Sequence, residues 1–298
     1  MFATLLGALP RPPLAADAST DALVEAAVRA QEAAGLDPVT DGGFRPEGDA
    51  VRAWEATARL TDRSVKHVLI GPYSQARIEG DRAAPMDRVA RLNTVLRDLA
   101  EAGCPLVEVR EPAAIHIGGD ADERERFRDV HLRLLDGVSG MHLSLAITGG
   151  NAHSTGIETL LTAPYDSLAV DLVAGPDNWY LVVATPGDRG IVCGALPAAA
   201  DSTDGPETLL WAAAYAASTN GRGPNRVGLA TASSLERLPW AVAVGKMALL
   251  GDAVRIAGLP AEERLAALDP RAVDSRSAAL GRYAPPPSHP PRRGQDPT

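Results

Sequence analysis

Short runs rich in Val, Ile and Leu alternate along the chain with longer stretches of Ala, Leu, Glu and Arg. That order marks parallel strands joined by helices, because a strand can pair in parallel with the next only after a crossover returns the chain to the same end of the sheet. Strands are predicted over 2–6, 36–41, 67–71, 105–110, 141–146, 168–172, 190–196 and 226–230, and helices over 19–34, 50–59, 85–102, 122–136, 206–218, 234–251 and 260–268. Eight parallel strands suffice to close a ring. The expected fold is therefore α/β, a single (β/α)8 TIM barrel over residues 1–283. A disordered Pro-rich tail is expected over 284–298, where APPPSHPPRRGQDPT has too little apolar surface to offset its ordering entropy. Only 4% of the 298 residues are aromatic while 45% are apolar, so the core must be filled by small aliphatic side chains.

A net charge of -9 excludes the dense basic face that nucleic acid or an anionic membrane would require. The expected partner is a small molecule, and a homodimer is compatible with this composition. Cys104 and Cys193 lie in apolar runs without a CxxC neighbour and read as buried small hydrophobes. The start, MFATLLGALPRPPL, has neither a basic leader nor a cleavage site, and no run approaches ~18 apolar residues, so the cytoplasm is the expected compartment.

In such a barrel the chemistry belongs on the loops after the strands. Reading only those ends collects Asp41, Arg45, Tyr73, Ser74, Arg77, Arg110, Glu111, His142, Ser144 and Asp171. His142, Glu111 and Asp171 are the candidate catalytic groups, since an imidazole between two acids can move protons near neutral pH. Asp41, Arg45, Tyr73, Ser74, Arg77, Arg110 and Ser144 are the candidate substrate-binding groups, with the three arginines suited to an anion. Several have a plainer reading: His142 as a satisfied core histidine, Glu111 as the hub of a buried hydrogen-bond network, Arg110 as half of an ion pair with Asp41 or with a neighbour of Glu111, and the glycines after Asp41 as a turn device. The loop TGGNAHSTG fits no phosphate-binding spacing and reads as a loop over the mouth.

The segments GALPRP, QEAAGLDPVTDGGFR, KHVLIGPYS, EAGCPLVEVREPA and MHLSLA follow the strand-end order of the catalytic barrel of cobalamin-independent methionine synthase, and the chain resembles that family over nearly its whole ordered length. The resemblance implies a methyltransferase barrel with a zinc site built from an H-x-C pair, an acid on the next strand and a last cysteine. Matched in this way, His142 and Asp171 are the only remnants of that site, with Ser144 and Val227 standing where thiolates belong. A hydroxyl and an aliphatic group do not replace thiolates on a soft metal, so zinc is not expected. Gly43 and Arg110 stand where the family grips an ammonium with carboxylates, which turns the pocket toward an anion. Three functions stay open: a methyl or one-carbon transferase diverged in substrate, with a folate among its candidate ligands; a metal-free lyase or decarboxylase acting on a carboxylate, resembling the related uroporphyrinogen decarboxylase branch; and a non-catalytic barrel that binds a metabolite or a partner.

Overall fold

A computed structural model describes residues 1–46, 48–80, 86–202 and 205–268, and the expected tail over 284–298 lies outside them. Seven strands form one all-parallel sheet in the order β1-β7-β6-β5-β4-β3-β2. They are β1 (Phe2–Thr4), β2 (Lys66–Ile70), β3 (Leu106–Arg110), β4 (His142–Ile147), β5 (Ser167–Asp171), β6 (Gly190–Leu196) and β7 (Val227–Thr231). The helices are α1 (Thr20–Ala33), α2 (Ala50–Ala58), α3 (Pro72–Ile78), α4 (Met86–Glu101), α5 (Ala121–Leu134), α6 (Ile157–Leu161), α7 (Trp179–Ala184), α8 (Pro206–Ser218), α9 (Trp240–Ala257) and α10 (Ala261–Ala266). This is the expected α/β barrel, with one side incompletely closed. Among the described residues no helix is long and apolar enough to cross a membrane.

The open side falls where a second strand was expected over 36–41. That segment makes only two isolated bridges, Ala3 with Asp37 and Val39 with Val65. Two features of the sequence keep it out of the sheet. Pro38 has no N–H to give to a ladder. The buried side-chain amide of Gln31, on α1, takes both backbone groups of Thr40: its Oε1 accepts from the Thr40 N–H at 2.9 Å and its Nε2 donates to the Thr40 carbonyl at 2.8 Å.

Side chains alternate between the two faces of each strand, and residues paired in register share a face. The parity that puts Lys66 beside Glu108 sends Val68, Ile70, Arg110, Ser144, Ala146, Ala169, Asp171, Val192 and Ala230 into the lumen. Leu6, Ala146, Ala169, Val192 and Ala230 pack there as a small apolar plug. The larger core lies between sheet and helices, where Val107, Val109, Leu145, Ile147, Leu168, Val170, Ile191 and Cys193 meet residues such as Leu96, Leu99, Phe127, Leu209 and Leu250. Capping follows the sequence: Ser19 accepts from the Ala22 N–H, Asp49 from the Arg52 N–H, and Asp120 from the Asp122 and Glu123 N–H groups. Three short helices, α3, α6 and α7, were not anticipated, because five to seven residues are too few to display a helical period.

Candidate functional site

The barrel mouth opens into a cavity of about 460 Å³ on the incompletely closed side. Its polar end is built by Arg110 at the top of β3 and by Asp41 and Arg45 from the loop after the bridged segment. Arg110 is half-buried, its Nε is shielded from solvent, and that Nε has no hydrogen-bond partner among the described residues. The ion pair with Asp41 weighed from sequence is not formed. Asp41 instead accepts from the Gly43 N–H at 2.8 Å, fixing a turn in which Gly42 and Gly43 both have positive φ. Gly43 also lies against Ala8: a Cβ there would stand 2.7 Å from the Ala8 Cβ, so this backbone leaves no room for a longer side chain at that position. Arg45 is committed to Asp21 at 2.9 Å and to the Thr57 hydroxyl at 3.3 Å.

His67 lines the same cavity and was not singled out from sequence. Its ring makes no hydrogen bond to the described residues. Burial holds it below the ordinary histidine range, and the nearby negative charge of Asp41 works in the opposite direction. The ring is thus held neutral on the helix face of β2, three residues below Ile70, the residue that pairs with Arg110. The only signal in the sequence was a histidine opening the apolar run HVLI, which a core histidine would give equally well.

Four of the expected mouth residues lie outside the barrel, between sheet and helices. Glu111 follows the inward Arg110 and therefore points outward; its carboxylate accepts from the Tyr73 N–H at 3.1 Å and the Ser74 N–H at 2.7 Å, at the N-terminus of α3. Gly71 is what lets it approach, since a Cβ there would fall 2.0 Å from Glu111 Oε1. His131 Nε2 stands 3.2 Å from the same oxygen, and its Nδ1 meets the Tyr165 hydroxyl at 2.7 Å. The Ser74 hydroxyl accepts from the Ala113 N–H at 3.0 Å. Tyr73 donates its hydroxyl to Glu123 at 2.7 Å, and Arg77 reaches Glu123 at 2.6 Å and the Tyr73 hydroxyl at 2.9 Å. Burial and then the Glu123 hydrogen bond push the Tyr73 phenol up to about 12. These groups clasp α3 to α5, and Arg77 is no free anion partner.

The remaining three are scattered along the lumen. His142 is the first residue of β4, exposed at the opposite end of the barrel, where its Nε2 meets the Ser167 hydroxyl at 2.8 Å. Asp171 ends β5 near the mouth, but its carboxylate accepts from the Gly149, Val173 and Ala174 N–H groups at 3.1, 2.9 and 2.8 Å, tying down the loops after β4 and β5. The loop read from TGGNAHSTG is further held by Asn178, whose Oδ1 accepts from the Ala152 N–H at 2.8 Å. Ser144 sits at mid-lumen with its hydroxyl buried and, among the described residues, unpartnered, beside a pair the sequence does not reveal. That pair is Lys66 and Glu108, with Nζ 2.5 Å from Oε2 and Glu108 Oε1 left without a partner among the described residues.

His142 and Val227 open their strands while Asp171 closes one, so the residues matched to the zinc ligands do not converge. Among the described residues no group of three or more His, Cys, Asp and Glu could hold a metal ion. Cys193 faces the helices, with its thiol pushed up to about 12 by burial.

No protein-family model matches the chain. A 5-methyltetrahydropteroyltriglutamate–homocysteine methyltransferase of Parvibaculum lavamentivorans is 28% identical over 196 residues, which cover 63% of this chain and 25% of that relative's length. A B12-independent methionine synthase from a Shewanella species, solved in complex with selenomethionine, superposes with a TM-score of 0.72 at 15% identity, covering 89% of this chain and 99% of that one. A putative vitamin-B12-independent methionine synthase from Listeria monocytogenes gives 0.67 at 13% identity, with 87% and 98% covered. In sequence over part of its length, and in fold over most of it, the chain is similar to cobalamin-independent methionine synthases, and it spans about a quarter of the length of that curated relative.

Proposed function

We propose that this barrel is a methyl- or one-carbon-transferring enzyme that has diverged in substrate and takes a carboxylate-bearing small molecule at its mouth. The observation that carries this reading is Arg110, a half-buried guanidinium on the cavity wall whose shielded Nε has no partner among the described residues. A buried donor left unpaired costs about 1–3 kcal/mol, which a planar carboxylate recovers by accepting from two guanidinium N–H groups at once. Kinship with the methionine synthase barrels supports group transfer as the reaction type.

The donor set does not fit the zinc site of that family: two of the four matched residues lie at the wrong end of the barrel, and the one carboxylate is saturated by backbone N–H groups. No step is therefore assigned to a metal. In the proposed reaction Arg110 anchors the carboxylate and so orients the accepting atom of the substrate.

The test is calorimetric titration of the whole chain with mono-, di- and tricarboxylates and with folates, against wild type and Arg110→Ala. Losing a bidentate charge-assisted contact worth about 1.5–3 kcal/mol should weaken the carboxylate that binds by roughly 10- to 100-fold. An unchanged affinity in Arg110→Ala would remove the basis of this reading. Stoichiometric zinc in the purified protein would overturn the metal-free part of it.

A further inference from the structure

The cavity is larger than a simple carboxylate needs, and its shape follows from the incomplete barrel. In a parallel strand alternate residues direct their N–H and C=O groups to opposite neighbours. The Gly71 N–H donates to the Arg110 carbonyl on the β3 side, whereas the Lys66 N–H donates to the Val39 carbonyl on the other side. Val68 and Ile70 therefore present their backbone groups to the same side as Lys66. Among the described residues no partner strand stands there, because the bridged segment leaves β2 after Val39 and Gln31 occupies the backbone of Thr40. The N–H groups of Val68 and Ile70 make no hydrogen bond to the described residues.

The cavity passes through this gap. Its walls include Val68 and Ile70, from the lumen face of β2, and also His67 and Leu69, from the helix face. Only a space that wraps around the free edge of a strand can touch both faces. Beyond the edge it is lined by Ala53 of α2 and by Leu92 and Val95 of α4. From the lumen outward the order is a guanidinium, an unpaired strand edge and an apolar niche.

We infer that this slot selects an elongated carboxylate: the carboxylate on Arg110, a planar amide-like group paired with the open edge at Val68 and Ile70, and an apolar tail lodged between α2 and α4. The inference rests on the reading of Arg110 as an anion anchor and adds the substrate class. About 460 Å³ lies within the range of sites for ligands of many heavy atoms, and a bare short carboxylate would leave most of it to water.

Three probes separate the elements of the slot when titrated into the whole chain: propionate as head alone, 4-phenylbutanoate as head and tail, and hippurate as head, amide and ring. Affinity should rise in that order, by at least fivefold per step. Ala53→Phe, which fills the niche, should bring hippurate to within about twofold of propionate while leaving propionate unchanged. Hippurate, and not propionate, should slow amide exchange at Val68 and Ile70 in the wild-type protein, a readout that does not depend on the variant folding well. Equal affinity for the three probes, or exchange at Val68 and Ile70 unmoved by saturating hippurate, overturns the slot. Arg110→Ala weakening all three probes alike, in a protein where tail length has no effect, would sink the slot and leave the carboxylate reading standing. Propionate binding that ignores Arg110→Ala would sink the carboxylate reading itself.

Discussion

Lys66 and Glu108 carry opposite charges into a lumen otherwise plugged by Leu6, Ala146, Ala169, Val192 and Ala230, and each side chain is only 2% exposed. Removing two charges from water costs several kcal/mol per ion even after relaxation, and their attraction offsets this only when the remaining lone pairs and protons are also satisfied. Lys66 comes close, since its Nζ also donates to the Leu5 carbonyl at 2.7 Å. Glu108 does not, because among the described residues Oε1 has no partner and the neighbouring Ser144 hydroxyl is equally unpaired. The pair is thus costly to break and adds little net stability. Lys66→Met should lose about 3–5 kcal/mol in urea denaturation, since it strands a buried carboxylate, whereas Lys66→Met with Glu108→Leu should return to within about 1–2 kcal/mol of wild type. A single variant no worse than the double would mean that the lumen is wetter than the buried geometry implies.

At the scale of elements, α9 shows how a residue type can mislead while the pattern is right. The stretch 234–251 reads as a helix from its pattern, but the helix runs from Trp240 to Ala257. Ser234 is spent elsewhere, its hydroxyl meeting the backbone of Ala8, and Pro239 sets the start, its carbonyl accepting from the Val242 and Ala243 N–H groups. Gly251 is no terminator: a Cβ there would lie 1.7 Å from the carbonyl oxygen of Ala34, so the glycine lets α9 pack against the end of α1. Gly251→Ala should therefore destabilise by about 1–3 kcal/mol through overpacking, against the ~1 kcal/mol gain that helix propensity alone would give. A rise in melting temperature would refute the close contact. The same distinction governs what was legible in the site. Apolar runs mark where strands are, but not where each begins: His142 stands five residues below the top of β4, about 16 Å from the mouth at ~3.3 Å per residue. Side-chain alternation separates Arg110, turned into the lumen, from Glu111, turned toward α3, although the two are adjacent in sequence. Arg110 and Asp41 were found because each sits at a true strand or bridge end. His67 and the pair of Lys66 and Glu108 were passed over because contacts across the sheet leave no local trace.

For the molecule as a whole, closure is the property that matters. A complete barrel leaves no strand edge unpaired, and this one completes its ring through β1 and β7 on one flank while only two bridges span the other. Local openings concentrate where few hydrogen bonds cross, so the side that forms the cavity should also be the least protected part of the sheet. The geometry makes a sharper statement than general softness. Along β2, the N–H groups of His67 and Leu69 face β3 and are bonded within the ladder, while those of Val68 and Ile70 face the gap. Amide exchange measured residue by residue on the ligand-free protein should therefore alternate along one strand, fast at Val68 and Ile70 and slow at His67 and Leu69. In β5, which has a partner on both sides, consecutive amides should all be slow. Uniform protection along β2 would mean that the 36–41 segment pairs with it in solution, closing the ring and removing the passage through which the cavity reaches α2 and α4.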